Sequence, residues 1–286
     1  MPDRTDIIYR YDGSFDGLLC CVFESYDRKE IPDDIVLPDA PTGLLYSEKQ
    51  IITDPQKAKR VLVSIPAKLG AAALEFVQLA FLTCLLGKER YILLFLRLGY
   101  RHGPAVMQML ADDTVNVLFK AVRHLERESH LFKGFVRFSV FNGALVAEIE
   151  PKNFVLPLLS RHFCERFPEE RFLIYDKKNG MALVYKPYRS AIVPIEALEL
   201  PEADEEEQAY RELWQLFYRT IEVEGRHNPR CRMGHMPKRY WKYLTELSAS
   251  QPKSQRKLTE KGEEGFDALP GSQDVLLRLQ EKIIIP

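Results

Sequence analysis

Cysteine is scarce in this sequence, and its spacing argues against a secreted fold held together by disulfides. The 286 residues include five cysteines. They are Cys20, Cys21, Cys84, Cys164 and Cys231. An odd number without paired spacing is typical of a reducing compartment. The first residues also lack the basic-then-apolar order of a signal peptide, so we expect a cytoplasmic protein.

A long uninterrupted apolar run is also missing. The most apolar stretch, residues 71–98, is broken by charged residues that include Glu75, Lys88, Glu89 and Arg90. A helix that spans a membrane needs about 20 apolar residues in succession. The stretch therefore predicts buried helices, and we expect no membrane partner.

Net charge is almost absent. The 40 Lys and Arg residues are balanced by 41 Asp and Glu residues, which gives −1 at pH 7. Such a chain has no bulk attraction to nucleic acid or to an acidic membrane, so electrostatic binding has to come from a local patch. A hydrophobic content of 46% allows at least one full core, and the length suggests about two domains.

Residues 1–111 are predicted to form a region with a few strands and many helices. Residues 7–11 are a short apolar run, and the apolar residues after Ser14 recur at helical spacing. Ser14 is a preferred N-cap residue, and residues 44–53 have the pattern of a hairpin. Helices are then predicted at about 55–68, 71–86, 88–98, 104–111 and 112–130.

Residues 112–247 are predicted to contain an antiparallel sheet. The dipeptide Asn142-Gly143 suits a type I′ turn, and the resulting register places Arg137 opposite Glu148. Asn153 is expected to cap the next helix, and residues 172–185 have the pattern of a second hairpin.

The predicted fold class is α+β. It has an antiparallel sheet of two β-hairpins flanking a helix, packed with a largely helical N-terminal part and a C-terminal helical basic segment. Residues 248–286 are rich in Ser, Gln, Lys, Glu and Gly and predict a flexible tail. Its apolar end, residues 275–286, suits docking onto the body or onto a partner.

The segment at residues 226–246 concentrates positive charge and aromatic surface, and Glu246 is its first carboxylate. One interpretation is a nucleic-acid surface, because cations contact phosphates and aromatic rings stack on bases. The residues assigned to it are Arg226, Asn228, Arg230, Lys238, Arg239, Tyr240 and Trp241. The alternative is an amphipathic helix from Pro237 whose cations are simply solvated. The sequence leaves both open.

Two other sets of residues are candidates for a metal site or for catalysis. His227, Cys231 and His235 recur every four residues, but structural zinc needs four ligands, so no metal and no cofactor is expected. His162 and Asp176 would form a catalytic pair if Asp176 oriented the imidazole as a general base. The ordinary interpretation is that Asp176 opens a turn and His162 borders the core. Whether the protein is an enzyme stays open.

Three phrases of the sequence together resemble one bacterial family. They are YDGSFDGLLCCVFESY, FKGFVRFSVFNGALVAEIEPKNFVLPLLSRHFCERFPEERFLIYDKKNGMALVY and RHNPRCRMGHMPKRYWKYLTE. The family is described as DNA metabolism or DNA repair proteins; some members are fused to a uracil-DNA-glycosylase-like domain, and others are encoded beside a radical-SAM protein.

The resemblance implies a nucleic-acid-binding protein, with DNA as the expected ligand, that acts with a separate radical-SAM partner. This chain has no C-x₃-C-x₂-C cluster, so an iron–sulfur radical activity would belong to that partner. The alternatives are a nucleic-acid-processing enzyme, glycosylase-like or hydrolytic, and a pure protein–protein adaptor.

Overall fold

The computed structural model describes residues 6–41, 46–141, 143–195, 205–220 and 228–247. The chain forms two compact units. The N-terminal unit is Met1–Arg127 with Lys152–Phe154, and the C-terminal unit is Glu128–Pro151 with Val155–Pro286. No helix among the described residues is long and apolar enough to cross a membrane.

A parallel three-stranded sheet lies in the N-terminal unit, in the order β2-β1-β3. Its strands are β1 (Ile7–Arg10), β2 (Asp34–Val36) and β3 (Ser47–Gln50). The hairpin predicted around β3 is wrong, because β3 pairs in parallel with β1 instead. Ile7, Ile8 and Tyr9 of the central strand are all buried, as expected for a strand covered on both faces.

Helices supply the rest of this unit. Ser14 caps the first helix by accepting a hydrogen bond from the Gly17 amide at 2.9 Å, and Asp54 caps the second. A 3₁₀ helix, Gly103–Gln108, follows the α-helix that ends at His102. The α-helices that begin in this unit are α1 (Phe15–Asp27), α2 (Pro55–Leu69), α3 (Ala71–Phe81), α4 (Lys88–His102) and α5 (Asp113–Phe135).

A five-stranded sheet lies in the C-terminal unit, in the order β4-β5-β6-β7-β8. The strands are β4 (Ser139–Phe141), β5 (Ala144–Ile149), β6 (Phe172–Asp176), β7 (Met181–Lys186) and β8 (Arg189–Pro194). The pairs β4/β5, β6/β7 and β7/β8 are antiparallel, whereas β5 and β6 are parallel. The helix α6 (Leu156–Arg166) connects those two parallel strands. The α+β class is therefore confirmed, but the wholly antiparallel sheet is wrong.

Two local predictions in this region are also wrong. Arg137 lies before β4 and donates hydrogen bonds to Glu246, at 2.7 and 3.2 Å, rather than facing Glu148. Asn153 does not cap α6, whose N-cap is Val155. Its carboxamide oxygen instead accepts a hydrogen bond from the Cys84 amide at 2.9 Å.

The last described elements are three helices. They are α7 (Glu205–Thr220), α8 (Pro229–His235) and a 3₁₀ helix, Lys238–Tyr243. The basic segment thus folds as two short helices rather than one continuous helix. The predicted tail at residues 248–286 and Arg226 lie outside the described residues.

Candidate nucleic-acid interface

Asn228 is the first described residue of the basic segment. The Asn228 side chain accepts a hydrogen bond from the Cys231 amide at 3.0 Å and so caps α8. Pro229 follows at the first helical position, where its missing N–H costs nothing. The cap and the proline fix the first turn of α8, which carries the exposed side chain of Arg230.

Trp241 is a half-buried aromatic residue of the basic segment. Its indole N–H donates to the Met236 carbonyl at 2.9 Å, which holds the ring in place. The guanidinium of Arg232 lies 5.3 Å from the ring centre, and the Lys238 ammonium lies 5.9 Å from it. Both distances are within the range of a cation–π interaction, so two positive charges surround one fixed indole.

Tyr240 has a different environment, since only 2% of it is exposed. Its ring packs edge-on against Phe132 at 5.0 Å and also contacts Phe135 at 5.4 Å. Burial raises the pKa of the Tyr240 hydroxyl. Both ring contacts belong to the packing of the unit, so stacking on a base would have to displace them.

Arg239 and Lys242 are each paired with a carboxylate. Arg239 donates to Glu128 at 3.0 Å, and the Glu128 side chain is almost fully buried. Lys242 forms an ion pair with Glu150, which also accepts from the Tyr243 hydroxyl at 3.0 Å. The ammonium of Lys242 and the Tyr243 hydroxyl together lower the pKa of Glu150. These two cations therefore stabilise the fold through ion pairs.

Arg230 and Lys238 remain as exposed cations of this surface. Within the described ranges, neither has an ion pair with a carboxylate. Both side chains are exposed, so an anion in solution can contact them. The candidate interface of the described chain thus reduces to Arg230, Arg232, Lys238 and Trp241, and we call it the Trp241 surface.

The predicted catalytic pair is not joined by a hydrogen bond or ion pair. Asp176 is fully buried and accepts from the backbone amides of Lys178 and Asn179, both at 3.1 Å. Burial raises the pKa of Asp176, against the effect of the Asn179 hydrogen bonds. Asp176 therefore stabilises the turn between β6 and β7 through these hydrogen bonds.

His162 has surroundings of its own. Burial lowers the pKa of the imidazole, and the nearby charges of Lys133 and Arg166 lower it further. Its Nε2 is buried and has no hydrogen-bond partner among the described residues, while the ring packs edge-on against Phe163 at 4.9 Å. A neutral imidazole can accept a proton, but within the described part of the chain no carboxylate orients it by a hydrogen bond.

A small cavity of about 330 Å³ in the N-terminal unit brings together residues that sequence reasoning did not connect. Its lining includes Cys84, His124 and Asn153. The side-chain oxygen of Asn153 accepts a hydrogen bond from the Cys84 amide. The NH₂ group of Asn153 therefore lies on the other side and donates to His124 Nδ1 at 3.0 Å. Nδ1 is thus used as an acceptor. In the parts of the chain that the structure describes, no three His, Cys, Asp or Glu side chains are grouped to hold a metal ion.

These features define an α+β protein with a basic, aromatic surface on its C-terminal unit. Residues 87–246 match the model of DUF4130, a domain of unknown function. The match covers more than half of the 286 residues, so the chain belongs to this family. Comparison with curated proteins and with solved structures gives no match.

Proposed function

We propose that this protein binds nucleic acid, with DNA as its ligand, and serves DNA metabolism or repair together with a separate radical-SAM partner. The observation that carries the proposal is the indole of Trp241, held by a hydrogen bond to Met236, with Arg232 and Lys238 both within cation–π distance of its ring. The resemblance of the sequence to DNA metabolism proteins supports the biological setting and the partner.

The Trp241 surface offers the two kinds of contact that a nucleic-acid strand needs. Exposed arginine and lysine side chains contact phosphates, which gives affinity without sequence preference. An aromatic ring offers a plane for an unstacked base, and this contact tolerates any base. The phosphate contacts are assigned to Arg230 and Lys238, and the ring to Trp241.

The other residues predicted to bind nucleic acid contribute by stabilising the helices that carry this surface. Asn228 caps α8, Arg239 balances the buried Glu128, and Tyr240 anchors the 3₁₀ helix on Phe132. Arg226, which lies outside the described residues, stays a proposed phosphate contact from the sequence alone.

The salt dependence of DNA binding tests the proposal. Affinity for labelled single- and double-stranded DNA is measured by fluorescence anisotropy between about 50 and 200 mM salt. The Arg230→Ala/Lys238→Ala variant should bind more weakly, and its log–log salt slope should be shallower by about 1.4 to 1.8, because each lost phosphate contact removes about 0.7 to 0.9.

The matched control is Lys186→Ala/Arg189→Ala, which removes two exposed cations from the same unit at the turn between β7 and β8. Its slope should equal that of the wild type. No DNA binding at the lowest salt, or equal slopes for both double variants, would refute the proposal.

A protein–protein adaptor is the second candidate, because α7 exposes a set of large apolar side chains. Contiguous exposed apolar surface marks interaction sites in soluble proteins. The exposed residues are Tyr210, Leu213, Trp214, Leu216 and Phe217. The two activities are compatible, since an adaptor that also binds DNA would bring its partner to the substrate.

A further inference from the structure

We infer that a groove between α1 and α2 binds a short stretch of single-stranded nucleic acid. The groove is open, has a volume of about 580 Å³ and lies in the N-terminal unit. This volume lies in the range of pockets that hold small organic ligands. The groove has a cationic wall on α2 and an aromatic wall on α1, and Tyr100 of α4 completes the lining.

The cationic wall is built from Arg60, Ser64 and Lys68. These residues recur every four positions and therefore share one face of α2. Arg60 and Lys68 are exposed, and neither has an ion pair with a carboxylate of the described chain. Eight residues of helix separate them by roughly 12 Å. Two exposed cations spaced along the helix in this way suit a ligand that carries at least two anionic groups.

The aromatic wall presents Phe23 and Tyr26. Tyr26 is 42% exposed, and it meets Tyr100 edge-on with ring centres 5.6 Å apart. The Ser64 hydroxyl donates a hydrogen bond to the Val61 carbonyl at 2.8 Å. The Tyr100 hydroxyl therefore donates to Ser64 at 2.5 Å, which holds the Tyr100 ring at the groove.

Each of the three rings lies under a cation. Lys57 and Arg60 lie 5.4 and 5.1 Å from the centre of the Phe23 ring. Lys68 lies 5.4 Å from the Tyr100 ring, and Arg97 lies 4.8 Å from the Tyr26 ring. Cation–π contacts at exposed sites are weak. A phosphate can therefore bind one of these cations in place of the ring, and a base can then stack on the face of the ring that the cation has left.

The charge of the lining favours an anion. Asp27 is the carboxylate among the lining residues, and it already has Arg28 within 3.5 Å. Alternating rings and cations match a single strand, whose bases and phosphates alternate in the same way. A duplex keeps its bases stacked inside, so its bases do not reach the aromatic wall.

The groove goes beyond the function proposed above. Except for Tyr100, its lining lies outside residues 87–246, the stretch that the DUF4130 model matches. It shares no residue with the Trp241 surface. The inference depends on the proposed function only for the class of ligand, nucleic acid.

The test compares two double variants of the full chain for binding to labelled oligothymidine of about 12 nucleotides. Arg60→Ala/Lys68→Ala should lower the log–log salt slope by about 1.4, since each phosphate contact to a single strand contributes about 0.7. The control Lys59→Ala/Arg101→Ala removes two exposed cations that do not line the groove, and its slope should not change. Tyr26→Leu should weaken binding roughly tenfold at every salt concentration, because it removes a stacking plane.

Photo-crosslinking of bromodeoxyuridine-substituted oligonucleotide to the wild-type protein gives a readout that needs no variant to fold. A crosslink to the peptide of α1 that carries Phe23 and Tyr26 supports the groove. Equal slopes for both double variants, absence of a crosslink on α1, or displacement of the oligonucleotide by a phosphopeptide at equal concentration would overturn it.

The two proposals fail separately. If only Arg60→Ala/Lys68→Ala makes the salt dependence of DNA affinity shallower, the result supports the groove and contradicts the Trp241 surface. If only Arg230→Ala/Lys238→Ala makes it shallower, the result supports the Trp241 surface and contradicts the groove.

Discussion

Glu246 shows how single residues shape the basic segment. Its side chain is only 2% exposed, and it accepts hydrogen bonds from Arg137 at 2.7 and 3.2 Å and from the Trp214 indole at 3.2 Å. A buried carboxylate is costly unless it is paired and hydrogen-bonded. Arg137 therefore has a structural role in the C-terminal unit, although the sequence suggested an exposed cross-strand pair.

Removal of Arg137 should therefore destabilise the protein strongly. Arg137→Ala leaves Glu246 buried without its counter-ion, and the expected loss is about 3–5 kcal/mol of unfolding free energy. Arg161→Ala is the matched control, because its pair with Glu165 is exposed, at 88% and 65% for the two side chains. Such a pair contributes less than about 1 kcal/mol. Urea unfolding of both variants measures the difference, and equal midpoints would contradict this account.

The same pair predicts a pH dependence. Burial by itself raises the pKa of Glu246, but the hydrogen bonds and charge of Arg137, a backbone hydrogen bond and the Trp214 indole together lower the pKa below its ordinary value. A carboxyl group whose pKa is lowered by folding stabilises the protein above its unfolded pKa, and this stability is lost as the pH falls through the folded pKa.

The wild type should accordingly lose more stability than Glu246→Gln between about pH 6 and pH 3, a window that brackets the ordinary pKa of glutamate. Other carboxylates titrate there too, but they are common to both proteins, so the difference in urea midpoint isolates Glu246. Parallel pH profiles would show that Glu246 is not the group responsible.

Sequence reasoning identified the charged and aromatic residues of the basic segment but not their partners. Glu128 is 111 residues away from Arg239 in the chain, and Glu150 is 92 residues away from Lys242. No local pattern encodes such contacts, because they depend on how distant elements pack. The same holds for Tyr240, whose burial results from contact with Phe132.

At the scale of elements, local pairings follow from sequence and distant pairings do not. Phe141 lies opposite Ala144 across a short turn, where the loop length alone fixes the register. The parallel pairing of β5 with β6 needs a crossover through α6. The parallel pairing of β3 with β1 likewise joins strands that are far apart in the chain. Alternating apolar residues identify a strand but not its neighbour.

The exposed face of α7 carries the prediction at this scale. Leu213 and Phe217 are 61% and 47% exposed, so Leu213→Ser/Phe217→Ser should change stability by only about 0.5 kcal/mol per site. If α7 binds the proposed radical-SAM partner, the variant should lose co-purification with that protein by at least roughly tenfold, the size of a modest interface hot spot.

The control for α7 is Ile52→Ser/Leu86→Ser, which removes two apolar side chains that are 81% and 90% exposed elsewhere. It should retain the partner. Retention by both double variants would show that α7 is not the docking surface.

For the molecule as a whole, a net charge of −1 means that any affinity for DNA has to come from a local site. The Trp241 surface supplies one basic, aromatic site in the C-terminal unit, and the groove between α1 and α2 supplies another in the N-terminal unit. Each site combines a ring with solvated cations, and that combination is the basis of the proposed function.

Trp241 itself allows the central claim to be measured directly. The sequence contains two tryptophans, so Trp214→Phe leaves Trp241 as the single indole. Titration of this variant with single-stranded DNA at low salt should quench the Trp241 emission to saturation, and added salt should reverse the quenching as phosphate contacts are lost. DNA binding seen by anisotropy without any change in Trp241 emission would contradict the account.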